Sequence, residues 1–373
     1  MARQARFDLP VWISGAALLA VIALAARYER ARPAGSARPF GERSASGVPL
    51  AIRRRRARQP GRGRNAVHPA DIPGRGWKDI VWRCYGQVGE DRLLAVAAAV
   101  AFFGLLAIFP AITAFVSLYG LFAKAATIND HLSFIAGVLP ASGYEIISAE
   151  IARIAAKSDG KLSVAFLTAL AVALWSANAG MKAIIDALNV IYEEDEKRGF
   201  LHLNLLSLGL TLGAIVFLLA AIGVVVAFPV AMRWMGFESF AGTAVIVLRW
   251  PALFVVVVLG LQVLYRVGPS RREAKWRWLT PGSVLAALAW LGGSALFSWY
   301  LANVADYSAT YGALGAAIGL MMWLWLTAVV VLLGAEFNAE TEHQTAHDST
   351  TGIEKPLGAR GATMADTIGA AEA

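Results

Sequence analysis

Residues 276–342 read WRWLTPGSVLAALAWLGGSALFSWYLANVADYSATYGALGAAIGLMMWLWLTAVVVLLGAEFNAETE. The stretch contains two apolar runs of about 20 residues each, which is the length that an α-helix needs to cross a bilayer. Few polar residues separate the runs, and backbone polar groups inside a bilayer must be hydrogen-bonded within the protein. The stretch therefore predicts a tight transmembrane helical hairpin, which begins near Pro281 and ends near Gly334.

The composition of the whole chain is typical of a membrane protein. Of the 373 residues, 57% are hydrophobic and 16% are charged, and the mean hydropathy is +0.56. Apolar runs of membrane-spanning length recur, so the sequence predicts an all-α polytopic membrane protein built as a six-span helical bundle. The spans are predicted at residues 93–122, 162–180, 201–228, 243–265, 282–303 and 312–334.

A further apolar run at residues 10–26 precedes the bundle and has the minimum length for a span. A cleaved signal peptide is the alternative interpretation. Residues 27–92 contain 16 Lys and Arg, and such a basic segment resists translocation, so we predict an uncleaved N-terminal transmembrane anchor at residues 1–30. We further predict a disordered Arg-rich cytoplasmic linker at residues 31–75 and an interfacial helix at 77–92.

The distribution of positive charge predicts the orientation. The segments predicted inside carry 26 Lys and Arg, and those predicted outside carry 7. Since cytoplasmic loops are enriched in these residues, the C-terminus is expected in the cytoplasm. The linker is then followed by a membrane domain at residues 76–342 and a polar cytoplasmic tail at 343–373. We expect the linker to contact membrane lipids, through their anionic headgroups, rather than nucleic acid.

Three residues in the predicted spans are candidates for a transport pathway. Arg249 is the one Lys or Arg well within a span, where a charge costs about 2.5–3.5 kcal/mol, so it is a candidate contact for an anion or a headgroup. The alternative is a side chain that extends to the interface. Pro110 and Pro251 predict helix kinks, each in the first span of a three-span half, as in inverted-repeat transporters. Two unrelated kinks are the alternative.

Polar and aromatic side chains mark the two ends of a candidate cavity. Four residues on the second span and its extension are predicted to line the cytoplasmic end: Trp175, Ser176, Asn178 and Asp186. Hydrogen bonds between helices are the alternative role for the Ser and the Asn. Three residues between the last two spans are placed at the outer mouth, with interfacial anchoring as the alternative for the tyrosines: Asp306, Tyr307 and Tyr311.

Four residues of the hairpin are assigned structural roles. Gly282 lies at the start of its first helix, and Gly315 and Gly319 lie in its second helix, where small residues allow close packing. Glu336 lies at the end of the second helix, and we expect it to pair with a basic residue of the 266–281 loop.

The sequence contains no recognisable catalytic or metal-binding motif. His343 and His347 have the i, i+4 spacing of a metalloprotease helix but lack its glutamate. The single cysteine, Cys84, excludes an internal disulfide and any Cys-based metal site. No glycine-rich phosphate loop or nucleophile elbow is present. We therefore predict that the protein is not an enzyme and has no cofactor and no metal.

Four segments resemble the YihY/BrkB family of bacterial inner-membrane proteins. They are EDRLLAVAAAVAFFGLLAIFPA, LWSANAGMKAIIDALNVIYEEDEKR, WRWLTPGSVLAALAW and YSATYGALGAAIGLMMWLWLTAVVVLLGAEFNAE. The resemblance covers residues 77–342 and implies a multi-pass protein of the bacterial cytoplasmic (inner) membrane with a role in the envelope, in serum resistance or in export. Some members carry the older label ribonuclease BN, which implies tRNA processing.

Three functional hypotheses follow. The first is a transporter or exporter of an envelope-related substrate that is lipidic or anionic. The second is a non-transporting envelope scaffold, in which the basic linker or the one or two amphipathic helices that we predict on the outer surface within residues 124–160 bind partners. The third is a ribonuclease, which the absence of a clustered His/Asp metal site in the sequence disfavours. Homo-oligomerisation is left open.

Overall fold

The computed structural model describes residues 50–119, 144, 148, 149, 151, 152, 164–234, 238–303 and 315–371. Six of its helices, with 27 to 35 residues each, are long and apolar, and three shorter ones lie at one end. In chain order the helices are α1 (Leu50–Ala57), α2 (Gly74–Glu90), α3 (Leu93–Tyr119), α4 (Val164–Ile191), α5 (Phe200–Trp234), α6 (Glu238–Val267), α7 (Trp276–Asn303), α8 (Gly315–Glu342) and α9 (Thr363–Asp366).

The long helices α3 to α8 lie where the six spans were predicted, and the fold class is confirmed. Four helical segments are long and apolar enough to cross a membrane, and Pro251–Val267 is a shorter apolar helix. The four are Leu93–Phe115, Phe200–Leu219, Trp276–Leu301 and Gly315–Glu342. Among the described residues the only β contact is an isolated bridge between Ala274 and Thr350. The protein is an all-α polytopic membrane protein.

Helix α8 occupies the centre of the described bundle. It packs against α7, α3, α4 and α2. The buried side chains of Leu332, Ala335 and Ala339 lie in the main hydrophobic core. Two hydrogen bonds from side chains to backbone carbonyls add to the apolar packing. Tyr265 Oη donates to the Val331 carbonyl at 2.7 Å, and Trp325 Nε1 donates to the Leu94 carbonyl at 3.1 Å. The position of α8 therefore depends on several neighbours at once.

The closest approach of two helices occurs where α7 crosses α8. The backbones of Gly282 and Gly334 are in contact there, because a Cβ at Gly282 would overlap the Gly334 carbonyl oxygen. The Gly282 amide donates to Asn338 Oδ1 at 2.7 Å. Since only glycine lets two backbones approach so closely, the structural role predicted for Gly282 has a specific basis. Gly315 and Gly319 are also buried.

The polar ends of the helices meet in a region that we call the polar cap. It comprises residues 50–92, 192–199, 268–275 and 343–371, and in it the segment before α2 contacts the described part of the tail. Arg64 Nη2 donates to the Gly369 carbonyl at 2.8 Å, and Arg56 Nη1 donates to the Ile368 carbonyl at 2.9 Å. Gln344 Nε2 donates to the Arg62 carbonyl at 2.7 Å.

The prediction of a disordered linker at 31–75 is wrong for residues 50–75. Arg64 is 2% exposed there, and Ala66 and Ile72 are buried. The segment is poor in apolar residues, which predicted disorder. Its guanidinium groups instead find backbone carbonyls of the tail as acceptors, and a charged side chain can be buried when it is hydrogen-bonded. The boundaries of the membrane domain at 76 and 342 stay predictions.

The C-terminal tail is folded as well, through residue 371. Arg360 is buried and donates to the carbonyls of Ala365 and His347 at 2.6 and 3.1 Å. Thr345 Oγ1 donates to the Ala66 carbonyl at 2.7 Å, so the tail and the segment before α2 cover each other. The predicted interfacial helix corresponds to α2, which packs on α8 and leaves Trp82 and Tyr85 exposed. The predicted anchor at 1–30 lies outside the described residues.

The glycine crossing generates a stability prediction. We expect Gly282→Ala to lower the free energy of unfolding by about 1–3 kcal/mol, because its methyl group would force α7 away from α8. Gly292→Ala, in the same helix, is the matched control, since no atom lies within 4 Å of its added Cβ. That substitution should be neutral or slightly stabilising, because alanine favours helix. Thermal unfolding in detergent measures both, and equal losses would contradict the assignment.

Candidate functional site in the polar cap

The first ion pair beneath the polar cap joins α2 to the end of α8. Arg83 Nε pairs with Glu340, and their side chains are 7% and 2% exposed. The Arg83 guanidinium also donates to Gln344 Oε1 at 2.8 Å and to the Ala370 carbonyl at 2.9 Å. A buried guanidinium is stable only when its donors are satisfied. Arg83 therefore connects α2, α8 and the tail at one point.

A second pair joins the α6–α7 loop to the last residue of α8. Arg271 donates to Glu342 through two nitrogens, at 2.7 and 3.2 Å, and both side chains are fully buried. The Tyr192 ring lies 4.1 Å from the guanidinium, a cation–π contact. Ser349 Oγ also donates to Glu342, at 2.8 Å. Burial raises the pKa of the Tyr192 phenol. This pair has the contacts of a structural ion pair.

The third group consists of two carboxyls that form no ion pair with a described Lys, Arg or His. Glu336 is fully buried, and neither of its carboxylate oxygens receives a hydrogen bond from a donor of the described residues; the same holds for Asp91 Oδ2. The two carboxyl groups contact each other. A hydrogen bond between two carboxyl groups needs a proton on one of them. We call this group the carboxyl pair.

The electrostatics of the carboxyl pair favour the retention of a proton. Burial, followed by the negative charge of Glu193, raises the pKa of Asp91 to about 7. Two unit charges about 4 Å apart repel by about 4 kcal/mol at an effective dielectric constant near 20. Two carboxylates in contact therefore do not both ionise readily, as in other like-charge dyads. The pair titrates as a unit.

The expected role of Glu336 in charge pairing is wrong. We expected a basic residue of the 266–281 loop as its partner, but Arg271 of that loop pairs with Glu342 instead. The reason is the position on the helix: Glu342 is at the end of α8, where the loop reaches it, whereas Glu336 lies more than one turn earlier. At that level the neighbour is Asp91, at the end of α2.

The predicted cavity residues on α4 lie in different environments. Asn178 is 2% exposed, and its Oδ1 has no hydrogen-bond partner among the described residues. Trp175, Ser176 and Asp186 are exposed on the helix surface. The Lys182 ammonium lies 6.0 Å from the centre of the Trp175 ring. The structure therefore places Asn178 inside the bundle and does not bring the other three to it.

The structure describes only some of the remaining predicted site residues. Pro110 lies inside α3 and Pro251 inside α6, so both helices continue through their prolines. Arg249 lies in α6, but its side chain is outside the described part of the chain. Asp306, Tyr307 and Tyr311 are also outside it. A shared binding site for these residues stays a prediction.

Sequence reasoning missed Asp91, Arg83, Glu340 and the Arg271–Glu342 pair as site residues. One signal was available: Glu336 and Glu340 are spaced i, i+4 at the end of an apolar helix, which places both on one face. The partners were not readable, since Arg83 and Glu340 are separated by 257 residues in the chain. No group of three or more His, Cys, Asp or Glu suited to a metal ion occurs among the described residues.

Comparison with known protein families identifies the family to which the chain belongs. A family described as virulence factor BrkB matches residues 84–357, which include the end of α2, all of α3 through α8 and part of the polar cap. The chain belongs to this family. The resemblance noted from the sequence motifs is thereby confirmed, and the residues of the carboxyl pair lie within the matched region.

Relatives of this BrkB-family protein share moderate identity over most of the membrane domain. The putative ribonuclease-like protein YfkH of Bacillus subtilis is 32% identical over 252 residues, which is 65% of this chain and 88% of the relative. A UPF0761 membrane protein of Alkalilimnicola ehrlichii is 29% identical, over 66% of this chain and 55% of the relative. A UPF0761 membrane protein of Cronobacter sakazakii is 27% identical, over 70% and 86%. No solved structure matches.

The Arg271–Glu342 pair generates a second stability prediction. Glu342→Gln leaves a fully buried guanidinium without a counter-charge, so we expect a loss of about 3–5 kcal/mol in the free energy of unfolding. Glu273→Gln is the matched control, because Glu273 pairs with Arg266 in the same loop but is 47% exposed. Its loss should stay below about 1 kcal/mol. Denaturant unfolding in detergent compares the two, and similar losses would contradict a structural role.

The raised pKa of Asp91 generates a pH prediction. The folded protein holds a proton there that the unfolded chain releases above its ordinary pKa of 3.8, so stability falls as the pH rises from about 4 to about 7. Asp91→Asn removes the contribution of Asp91 to this dependence, and its melting temperature should drop less between pH 5.5 and pH 8 than that of the wild type. The exposed Glu354→Gln serves as the control and should follow the wild type. Parallel curves for Asp91→Asn would rule out the shift.

Proposed function

We propose that this BrkB-family membrane protein is a transporter or exporter of an envelope-related substrate that is lipidic or anionic. The observation that carries the proposal is the carboxyl pair. Ionisable groups without a counter-charge are costly in a membrane domain, and they commonly mark substrate pathways and proton relays. Glu336 is fully buried in the helix at the centre of the bundle.

The environment of Asn178 supports the same proposal. Its buried Oδ1 has no partner among the described residues, and an unsatisfied amide in a packed helix pair is destabilising. Gly180, two residues later, lies against Ala107 of α3, so the helices are close at this level. Because the Asn178 amide is buried in spite of the free energy that its unsatisfied Oδ1 costs, it is suited to contact a polar substrate or water. Arg249 is the proposed contact for an anionic group.

The proposed location is the bacterial cytoplasmic membrane, with the polar cap and the C-terminus in the cytoplasm. The support is the charge distribution, since 26 Lys and Arg lie in the segments assigned to the inside and 7 in those assigned to the outside. The exposed arginines before α2 are proposed to contact anionic lipid headgroups.

A non-transporting envelope scaffold is the second candidate, and the outer face of α2 favours it. Val81, Trp82 and Tyr85 are 55%, 52% and 76% exposed there. Two aromatic side chains on a surface helix suit either a membrane interface or a protein partner. In this alternative the carboxyl pair stabilises or regulates the cap and lines no pathway.

The absence of enzymatic activity is part of the proposal. One relative carries the name ribonuclease-like, and this name motivates a direct test. The purified protein is incubated with precursor tRNA with and without EDTA. We expect no cleavage above a mock purification from cells that lack the gene. Cleavage that EDTA abolishes would overturn the proposal in favour of a metal-dependent nuclease.

Cysteine accessibility tests the transport proposal. In a Cys84→Ser background, single cysteines replace Asn178, Arg249, Pro251 and Tyr311, and membrane-impermeant maleimide is applied from each side. Ala187→Cys is the buried control, because Ala187 lies in the hydrophobic core and should not react. Ala359→Cys is the exposed control in the tail. Its labelling from the cytoplasmic side alone is the expected orientation.

The outcomes separate the two candidates. Labelling at positions 178 and 249, with none at 187, is expected if a solvated path crosses the bundle. If position 311 alone reacts, the path is closed and the scaffold becomes the better description. Labelling of Ala359→Cys from the outer side would overturn the proposed orientation.

A further inference from the structure

The carboxyl pair combines two features that a structural ion pair lacks. Among the described residues, no hydrogen-bond donor reaches either oxygen of the fully buried Glu336 or the buried Oδ2 of Asp91. The nearby Glu340 and Glu342 each have an arginine partner. Two of the three acids of α8 thus pair with arginines, and the third, Glu336, faces Asp91.

The charged and titratable groups around the pair come from three elements. Glu340 on α8 is neutralised by Arg83 of α2, and Glu90 of α2 precedes Asp91. Glu193, after α4, adds a further negative charge that acts on both members of the pair. The single thiol of Cys84 and the buried phenol of Tyr192 also lie within electrostatic range of Glu336. Arg83 is the cation of this set, and it pairs with Glu340.

We propose that Asp91 and Glu336 form a proton-binding site in which the two carboxyl groups share one proton. The bound proton lets one carboxyl donate to the other, which removes the like-charge repulsion and satisfies a buried acceptor. A proton needs no ligand beyond the two carboxyls, whereas Ca²⁺ takes about 6–8 oxygen ligands. The described residues contain no larger ligand set.

The backbone beside the site gives proton release a structural consequence. Asp91 ends α2, and Arg92 connects it to α3 with a φ of 52°, an uncommon value for a residue other than glycine. Such corners are sites at which a helix pair can change its angle. Loss of the proton makes the α2–α3 corner and α8 repel each other. The protonated pair therefore holds this corner against α8.

The proton site does not require the proposed transport function. Under that function, the site would supply the coupling ion, and this additional step rests on the proposal above. A scaffold could use the same site as a pH-sensitive contact. The experiment is therefore chosen to detect the proton itself, without any substrate.

Infrared spectroscopy of the purified full-length protein detects the shared proton. The carbonyl band of a protonated carboxyl, identified by its shift in heavy water, is followed from pH 5 to pH 9 in EDTA-containing buffer. We expect a band in the wild type that persists above pH 6 and disappears with a midpoint near neutrality. Glu336→Gln should shift its midpoint to lower pH, because Asp91 then faces an amide that can donate to its carboxylate.

Two further variants keep the test decisive. Asp91→Asn should shift the midpoint to lower pH, because an amide that can donate replaces a negative neighbour. Glu354→Gln, in the exposed part of the tail, should leave the band unchanged. Size-exclusion profiles check that the variants fold, and if Glu336→Gln does not, the shift in Asp91→Asn decides.

Two results would overturn the proton site: no band in the wild type at pH 6, or a midpoint that is unchanged in Glu336→Gln or in Asp91→Asn. Loss of the band when sodium or magnesium is added at constant pH would indicate a cation site instead. A titrating band together with a closed bundle in the labelling experiment would retain the proton site and reject transport. An open path without the band would support transport and reject the proton site.

Discussion

The contact between the backbones of Gly282 and Gly334 is the constraint on which the rest of the structure depends. It places the last two turns of α8 directly beside the start of α7, and the Gly282 amide donates to Asn338 across the crossing. The buried acids of α8, Glu336, Glu340 and Glu342, all follow Gly334 in the chain. A larger residue at either position would separate the helices and move those acids away from the cap.

Charge pairing then determines how the two ends of the chain fold over this helix end. Arg83 and Arg271 bring α2 and the α6–α7 loop to Glu340 and Glu342. Arg64 and Arg360 are buried against backbone carbonyls rather than against acids. Because breaking a buried pair is far more costly than breaking an exposed one, these contacts define a single arrangement of the cap. The carboxyl pair is the exception, and that is why it is the candidate site.

The helical bundle was predictable because membrane insertion depends on local properties. Apolar runs near 20 residues long and internal backbone hydrogen bonding require helices at those positions whatever their neighbours are. The close packing at Gly282 could likewise be anticipated from residue size. The order in residues 50–75 could not, because composition alone does not show that carbonyls about 300 residues away will accept the arginine donors. Asp91 was overlooked for the same reason.

The sequence by itself determined that this is an all-α membrane protein with six long helices, since each helix is specified by its own apolar residues. It also determined the family, through motifs that are each one continuous stretch of the chain. Only the tertiary structure decided which buried acids are paired and which are not. Glu336, Glu340 and Glu342 are close together in the sequence, but one faces a carboxyl and two face arginines. That difference arises from elements far apart in the chain, and buried electrostatics depend on distances between such elements.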